Sequence, residues 1–447
     1  MQIIFFIIIN IINVNLYSSY IIYPFKTRFS ENPDTDKNIT LLFLSLIDNN
    51  IFIELNIGTP PQKIEVFLLS STYNFYISEK NEKDDSELNI FFNKDNSKSL
   101  EITKVGIYSY PEGNLIGNVS YDIIHFINNK KENIDKKIKF ILYKSNSGYK
   151  SGVLGLRCIS EEDEKKYNFI DKLKLNDVIN SYLWMINYTS EYEGNLILGE
   201  QPHNLDSNFF NKDELSFSYP FLNDDFYDWG LLFDEISFNN VNFRQFHYSS
   251  IDYELNYIKG NIDLERELDI YFNESILNKT CFKQHIDYPY VPDTFFYCKR
   301  ELFKNNMKYF PTLKFYQYEY NFTFELTYKD LFVEKNDKII LLIFFDQRRF
   351  DWRLGKPFLG KYSFLFNQDT KMIGFYKNQN NRNNINEPKS DSQWKLILTF
   401  FLAFFASILL IFFGILIGIY LFRKKRKNKY IIDEDYDYTT KIDEQIN

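Results

Sequence analysis

Asp252 and Glu254 stand two residues apart in the stretch Tyr248-Ser-Ser-Ile-Asp-Tyr-Glu-Leu-Asn-Tyr-Ile-Lys-Gly260. On an extended strand alternate residues share a face, so both carboxyl groups fall on one side of the chain. Neighbouring carboxylates supply general acid and base chemistry, because close like charges retain a proton that an isolated acid would lose. Other reactive groups are sparse. His125, His203, His247 and His285 are scattered and no Cys-x-x-Cys pair exists, so neither a metal site with ligand spacing nor a cofactor is implied. Cys281 and Cys298 share one segment and can close a local loop, while Cys158 is left over and reads as a buried free thiol.

The elements that must carry these residues read as strands. Hydrophobic residues make up 45% of the 447-residue chain, ample for a large core, and the 46 Phe and 34 Tyr favour a pleated surface over helices. A formal charge of −8 argues against nucleic acid as a partner. Ile53, Leu55 and Ile57 alternate with Glu54 and Asn56, the pattern of a half-buried strand. Gly58-Thr-Pro-Pro61 then turns the chain, and Ile64 to Leu69 resumes as a strand. The polar segment from Glu79 to Ser99 reads as a solvated insertion. Between Val105 and Phe126, two apolar runs flank Tyr110-Pro-Glu-Gly113, a hairpin signal.

The stretch from Ile57 through Gly58-Thr-Pro-Pro61 to Leu69-Ser70-Ser71 resembles the first active-site strand and loop of the pepsin-like aspartic peptidases. The likeness continues in order through Tyr110, Gly152-Val-Leu-Gly155, Trp184, Glu193-Gly-Asn-Leu-Ile-Leu-Gly199, Trp229, Asp252, Cys298 and Trp352-Arg-Leu-Gly355, ending at Lys371-Met-Ile-Gly-Phe-Tyr376. It implies a mainly β, bilobal fold with lobes over 51–215 and 216–376, Tyr110 on a flap hairpin, Asp252 as the second catalytic aspartate and a disulfide between Cys281 and Cys298. It also implies an internal repeat, Leu69 with Gly152–Gly155 matching Asp252 with Arg353–Gly355.

The family's hydrolysis needs two carboxylates sharing one proton around a water. Here Leu69 stands in the first carboxylate's place, and the second loop reads Asp252-Tyr253-Glu254 where a small hydroxyl residue and a glycine are the pattern. Ser70 retains a hydroxyl able to tie the loops together, and Lys356 replaces a commonly acidic residue. Glu254, sharing the face of Asp252, does not occupy the opposite loop's site. The resemblance therefore implies a catalytically impaired homologue that binds a peptide or protein ligand in its cleft. One alternative is an active aspartic endopeptidase relying on Asp252; another is a structural glycoprotein whose cleft is filled by Tyr73, Tyr253 and Tyr257.

The chain ends fit a lumenal protein. Residues 1–19 read as a signal peptide and 20–50 as a first strand or a propeptide. Polar residues 377–395 form a stalk; uncharged residues 396–422, as a helix about 40 Å long, exceed the roughly 30 Å hydrocarbon core. Arg423-Lys-Lys-Arg-Lys427 follows and favours a cytoplasmic tail over 423–447, hence a single-pass type I monomer of the secretory, endolysosomal or surface membranes. Asn38, Asn118, Asn187, Asn273, Asn278 and Asn321 open glycosylation sequons.

Overall fold

The computed structural model describes residues 19–28, 50–80, 91–110, 113–128, 131–144, 152–159, 162–218, 228–243, 247–286, 294–346 and 352–377, with 43, 46, 47, 417 and 419. The chain divides into two units, Met1–Asn380 and Asn381–Asn447. All sheets described below belong to the first. The expected membrane span over 396–422 lies outside the described residues except for Ile417 and Ile419, and so do residues 1–18, Asn38 and most of the stalk. No helix among the described residues is long and apolar enough to cross a membrane.

Three sheets build the two lobes that the resemblance implied. The largest has thirteen strands and the others nine and four. In the first lobe, Asn50–Ile57 pairs antiparallel with Gln62–Leu69, placing Glu54 opposite Glu65 on the solvent side. Ile53, Leu55 and Ile57 are 0–1% exposed, as their alternation requires. The same sheet continues through Gly152–Gly155, Phe75–Glu79, Asn133–Lys144, Gly113–Ile127 and Glu101–Tyr110. At its other end, Ile21–Arg28 and the hairpin Leu183–Tyr188 with Glu193–Leu198 join Phe364–Asn367, Met372–Tyr376 and Leu215–Ser218. This platform crosses the lobe boundary, since Phe366 of the second half lies opposite Trp184 of the first and stacks on it at 4.0 Å between ring centroids. Aromatic area buried at that junction holds the halves together.

The nine- and four-stranded sheets form the second lobe. Helix Ile262–Leu277 is capped by Asn261, whose side chain accepts from the Leu264 N–H, and buries Leu264, Leu268 and Phe272. Their spacing of four residues makes one apolar stripe, and Phe272 stacks on Phe296 at 5.3 Å. Cys281 lies opposite Cys298 in the next hairpin and the two are disulfide-bonded, whereas Cys158 is a buried free thiol that burial pushes up to about 12. The polar segment read as a solvated insertion departs from expectation over Phe91 to Ser99. Phe92 is fully buried, Lys94 pairs with Glu79 at 2.6 Å, and Ser97 and Ser99 both donate to Asp122. Two adjacent aromatics outweigh the polar composition around them, because their buried area rewards docking of the whole segment.

Candidate functional site at the floor between the lobes

Two equivalent frameworks aim two loops at each other. In the first lobe, Gln62–Leu69 runs parallel to Gly152–Gly155 with Leu69 opposite Gly155, and the Leu156 N–H donates to the Leu69 carbonyl at 2.8 Å. In the second, His247–Ile251 runs parallel to Trp352–Leu354, and the Asp252 N–H donates to the Leu354 carbonyl at 3.1 Å. Leu69 and Asp252 therefore stand at matching points of an internal repeat. Each loop rests on a glycine that admits no side chain. A Cβ on Gly155 would lie 2.4 Å from the Thr72 carbonyl oxygen, and one on Gly355 2.1 Å from that of Tyr257.

Leu69 is 5% exposed and packs in a cluster with Phe67, Tyr76, Val153 and Tyr167, against which Tyr108 and Leu115 of the hairpin also rest. An apolar side chain here completes the packed patch under the hairpin. That hairpin is the one expected, with Tyr110 opposite Gly113; residues 111 and 112 and the Tyr110 side chain lie outside the described set. Tyr253 turns away from the cleft. It is 1% exposed and meets Trp184 edge-on at 5.8 Å, so its ring belongs to the inter-lobe platform. Tyr257 stacks on Phe344 at 4.5 Å in a separate core, and neither tyrosine occupies the floor.

Glu254 departs from the sequence reading. The strand ends at Ile251 and the chain turns through Tyr253 and Glu254, so strand alternation no longer governs where the carboxyl points. It crosses to the opposite loop. Glu254 Oε1 accepts from the Ser70 N–H, from the Ser71 N–H at 2.9 Å, and from the Ser70 and Ser71 hydroxyls at 2.8 and 3.1 Å. Ser70 Oγ also lies 2.9 Å from Asp252 Oδ1, which in turn accepts from the Glu254 N–H at 3.1 Å. The first loop thus receives a carboxylate from the second.

One serine hydroxyl carries one hydrogen and has two carboxyl oxygens at bonding distance. With both acids ionised, only one contact is a hydrogen bond and the other is repulsive, so a proton resident on the pair satisfies both. Burial, then the neighbouring Asp252 charge, pushes the Glu254 carboxyl up to about 7 against the bonds from Ser70 and Ser71. Burial also raises Asp252, opposed first by Arg353, whose Nη1 lies 3.5 Å from Oδ2, and then by Ser70.

The sequence reading assigned no role to Arg353, Arg157 or Asp228. Arg353 projects from a strand whose other two residues, Trp352 and Leu354, are buried; a lone charge in such a run was the available signal. Arg157 and Asp228 join the lobes at 3.0 Å beside the Trp229 indole, whose N–H donates to the Leu156 carbonyl at 2.9 Å. Neither acidic nor basic partner stands out in sequence, since 71 residues separate them. Lys356 starts the short helix Lys356–Leu359 with its ammonium 5.2 Å from the Tyr192 ring centre, and burial pulls its pKa down to about 8. Of the sequon asparagines, Asn273, Asn278 and Asn321 are exposed, and Asn118 and Asn187 sit half-buried in strands.

The profile of the eukaryotic aspartyl protease family matches residues 50–378, and the chain belongs to that family. In fold it is similar to conglutin gamma, a basic 7S globulin from lupine seeds, at 10% identity and TM-score 0.59, covering 81% of this chain and 96% of that one. Basic 7S globulin from soybean is similar at 12% identity and TM-score 0.59 over the same shares. No curated protein matches the chain at the level of sequence.

Proposed function

We propose that this chain is a membrane-anchored aspartic peptidase homologue that binds an extended peptide or partner segment in its cleft and does not hydrolyse it. The observation that carries the reading is the commitment of both floor carboxylates. Glu254 Oε1 is taken by the amide and hydroxyl donors of Ser70 and Ser71, and Asp252 by Ser70, the Glu254 N–H and Arg353. Leu69 offers no acceptor for the water that hydrolysis needs, and the remaining carboxylates tie loops together. The hairpin and the sheet edges around it still suit backbone pairing with an extended chain.

Peptides and pepstatin-like ligands are expected to raise the melting temperature of the purified chain, with no cleavage of a broad peptide library at acid pH. Cleavage that Asp252→Ala abolishes would overturn this reading. A second reading, a filled scaffold, is favoured by the contact of Leu69's cluster with Tyr108 and Leu115; it is the outcome if no ligand changes the melting temperature. Anchoring rests on the uncharged run 396–422 followed by Arg423-Lys-Lys-Arg-Lys427. In sealed vesicles a C-terminal tag is expected to be cut only by protease added to the cytoplasmic side, with glycans confined to the other face.

A further inference from the structure

We infer that Arg353 forms a carboxylate-binding subsite on the cleft floor, so that the preferred ligand is an extended peptide presenting an acidic group at that point. The inference rests on the peptide-binding reading above and names the ligand class. Trp352 and Leu354 are 1% and 0% exposed, so the intervening Arg353 side chain takes the opposite face of the strand, where it remains 34% exposed. A guanidinium carries five N–H donors in a planar fork. Among the described residues Arg353 has one charged contact, Nη1 to Asp252 Oδ2 at 3.5 Å, longer than a well-formed hydrogen bond.

Its neighbours are otherwise engaged. Arg157 is held by Asp228 at 3.0 Å, and Lys259, opposite Arg353 in the strand register, is 4% exposed and pairs with Asp346 at 3.8 Å. Asp252 also accepts from the Ser70 hydroxyl and the Glu254 N–H, and it engages Arg353 through one long contact. Arg353 therefore retains donors directed away from the core, in the geometry that a second carboxylate accepts in bidentate fashion. A basic ligand side chain at the same point would meet like charge, and an amide would forgo the ionic part of the bond. The acidic group is either an internal Asp or Glu side chain or the ligand's own C-terminal carboxylate; both offer the same two oxygens.

The test uses the full chain in detergent and fluorescent extended peptides of about ten residues, read by anisotropy near about pH 6, where peptide carboxylates are ionised. A neutral parent peptide reports on the cleft itself. Its variants carry Glu, Gln or Lys at each position in turn, with free or amidated C-termini. A Glu twin is expected to bind about 10-fold or more tightly than its Gln twin at one position, in line with a hydrogen bond to a charged group. Arg353→Gln is expected to erase the difference between the Glu and Gln twins, compared within the same variant, and Arg353→Lys to retain only part of it. Preference for free over amidated termini alone assigns the subsite to a terminal carboxylate. Equal binding of Glu and Gln twins with amidated and free termini alike, or a preference that survives Arg353→Gln, overturns the inference and leaves the binding cleft standing. If no peptide binds, the cleft reading fails and this one with it. Should Arg353→Gln fail to fold, Arg353→Lys decides the matter.

Discussion

Raising the pH from about 4.5 to about 7 is expected to destabilise the folded chain, and Glu254→Gln to remove most of that loss. The Glu254 carboxyl moves from an ordinary 4.5 to about 7 on folding, so the native state holds a proton that the unfolded state releases. A group with a raised folded pKa contributes stability that is complete below its unfolded pKa and is lost as pH rises through the folded one. The window is therefore about 4.5 to 7, and the loss is on the order of 3 kcal/mol, from about 1.4 kcal/mol per unit. Asp252 is raised as well and acts in the same direction, while Arg353 opposes it; the Arg157–Asp228 pair lies in the same region. Gln keeps an acceptor for the Ser70 and Ser71 amides and carries no charge at any pH in the window. Thermal melts are expected to give wild type and Glu254→Gln similar midpoints near pH 4.5, with the variant higher by several degrees above pH 7. A wild-type midpoint that climbs through this range would show that the four donors to Oε1 outweigh burial and the Asp252 charge.

That prediction depends on a turn, which is also where the sequence was least informative. The frame was legible through its resemblance to the pepsin-like aspartic peptidases, supported by periodic and stereochemical signals. Ile53, Leu55 and Ile57 mark a buried face, Gly155 and Gly355 mark places where a backbone passes too close for a Cβ, and Leu69 with Asp252 mark matching points of a repeat. The direction of Glu254 was not legible, since it follows from where the strand ends and Ile251 gives no sign of ending one. Alternation predicted a shared face with Asp252, and the turn sent the carboxyl across to Ser70 and Ser71. The tyrosines behaved likewise. Tyr253 sits in the loop by sequence, yet an aromatic ring gains more against Trp184 in the platform than in a solvated cleft. Long-range ion pairs such as Arg157 with Asp228 leave no local pattern, so only the packed lobes reveal them.

Leu69→Asp is expected to cost roughly 3–5 kcal/mol near neutral pH, although it restores the residue type that hydrolysis requires at that point. Leu69 is 5% exposed among Phe67, Tyr76, Val153 and Tyr167, a mainly apolar patch in which a carboxylate is desolvated. The next residue, Ser70, already serves Asp252 and Glu254, so the new acid would be the third in one cluster. Its pKa must rise, and the cost must shrink on acidification as the acid neutralises. Leu69→Asn separates the two parts of the penalty: it buries a polar group without charge, so the Asp and Asn variants are expected to converge in denaturant midpoint near about pH 4 and diverge near about pH 7. Hydrolysis is not expected from Leu69→Asp alone, because Glu254 still occupies the first loop's amides and hydroxyls. Adding Glu254→Gly clears them and leaves Asp252 facing a carboxylate from the other lobe. If the single variant cleaves peptides in an Asp252-dependent way and the wild type does not, Leu69 alone accounts for the difference. If cleavage needs both changes, the crossing carboxylate of Glu254 is a second obstacle beside Leu69.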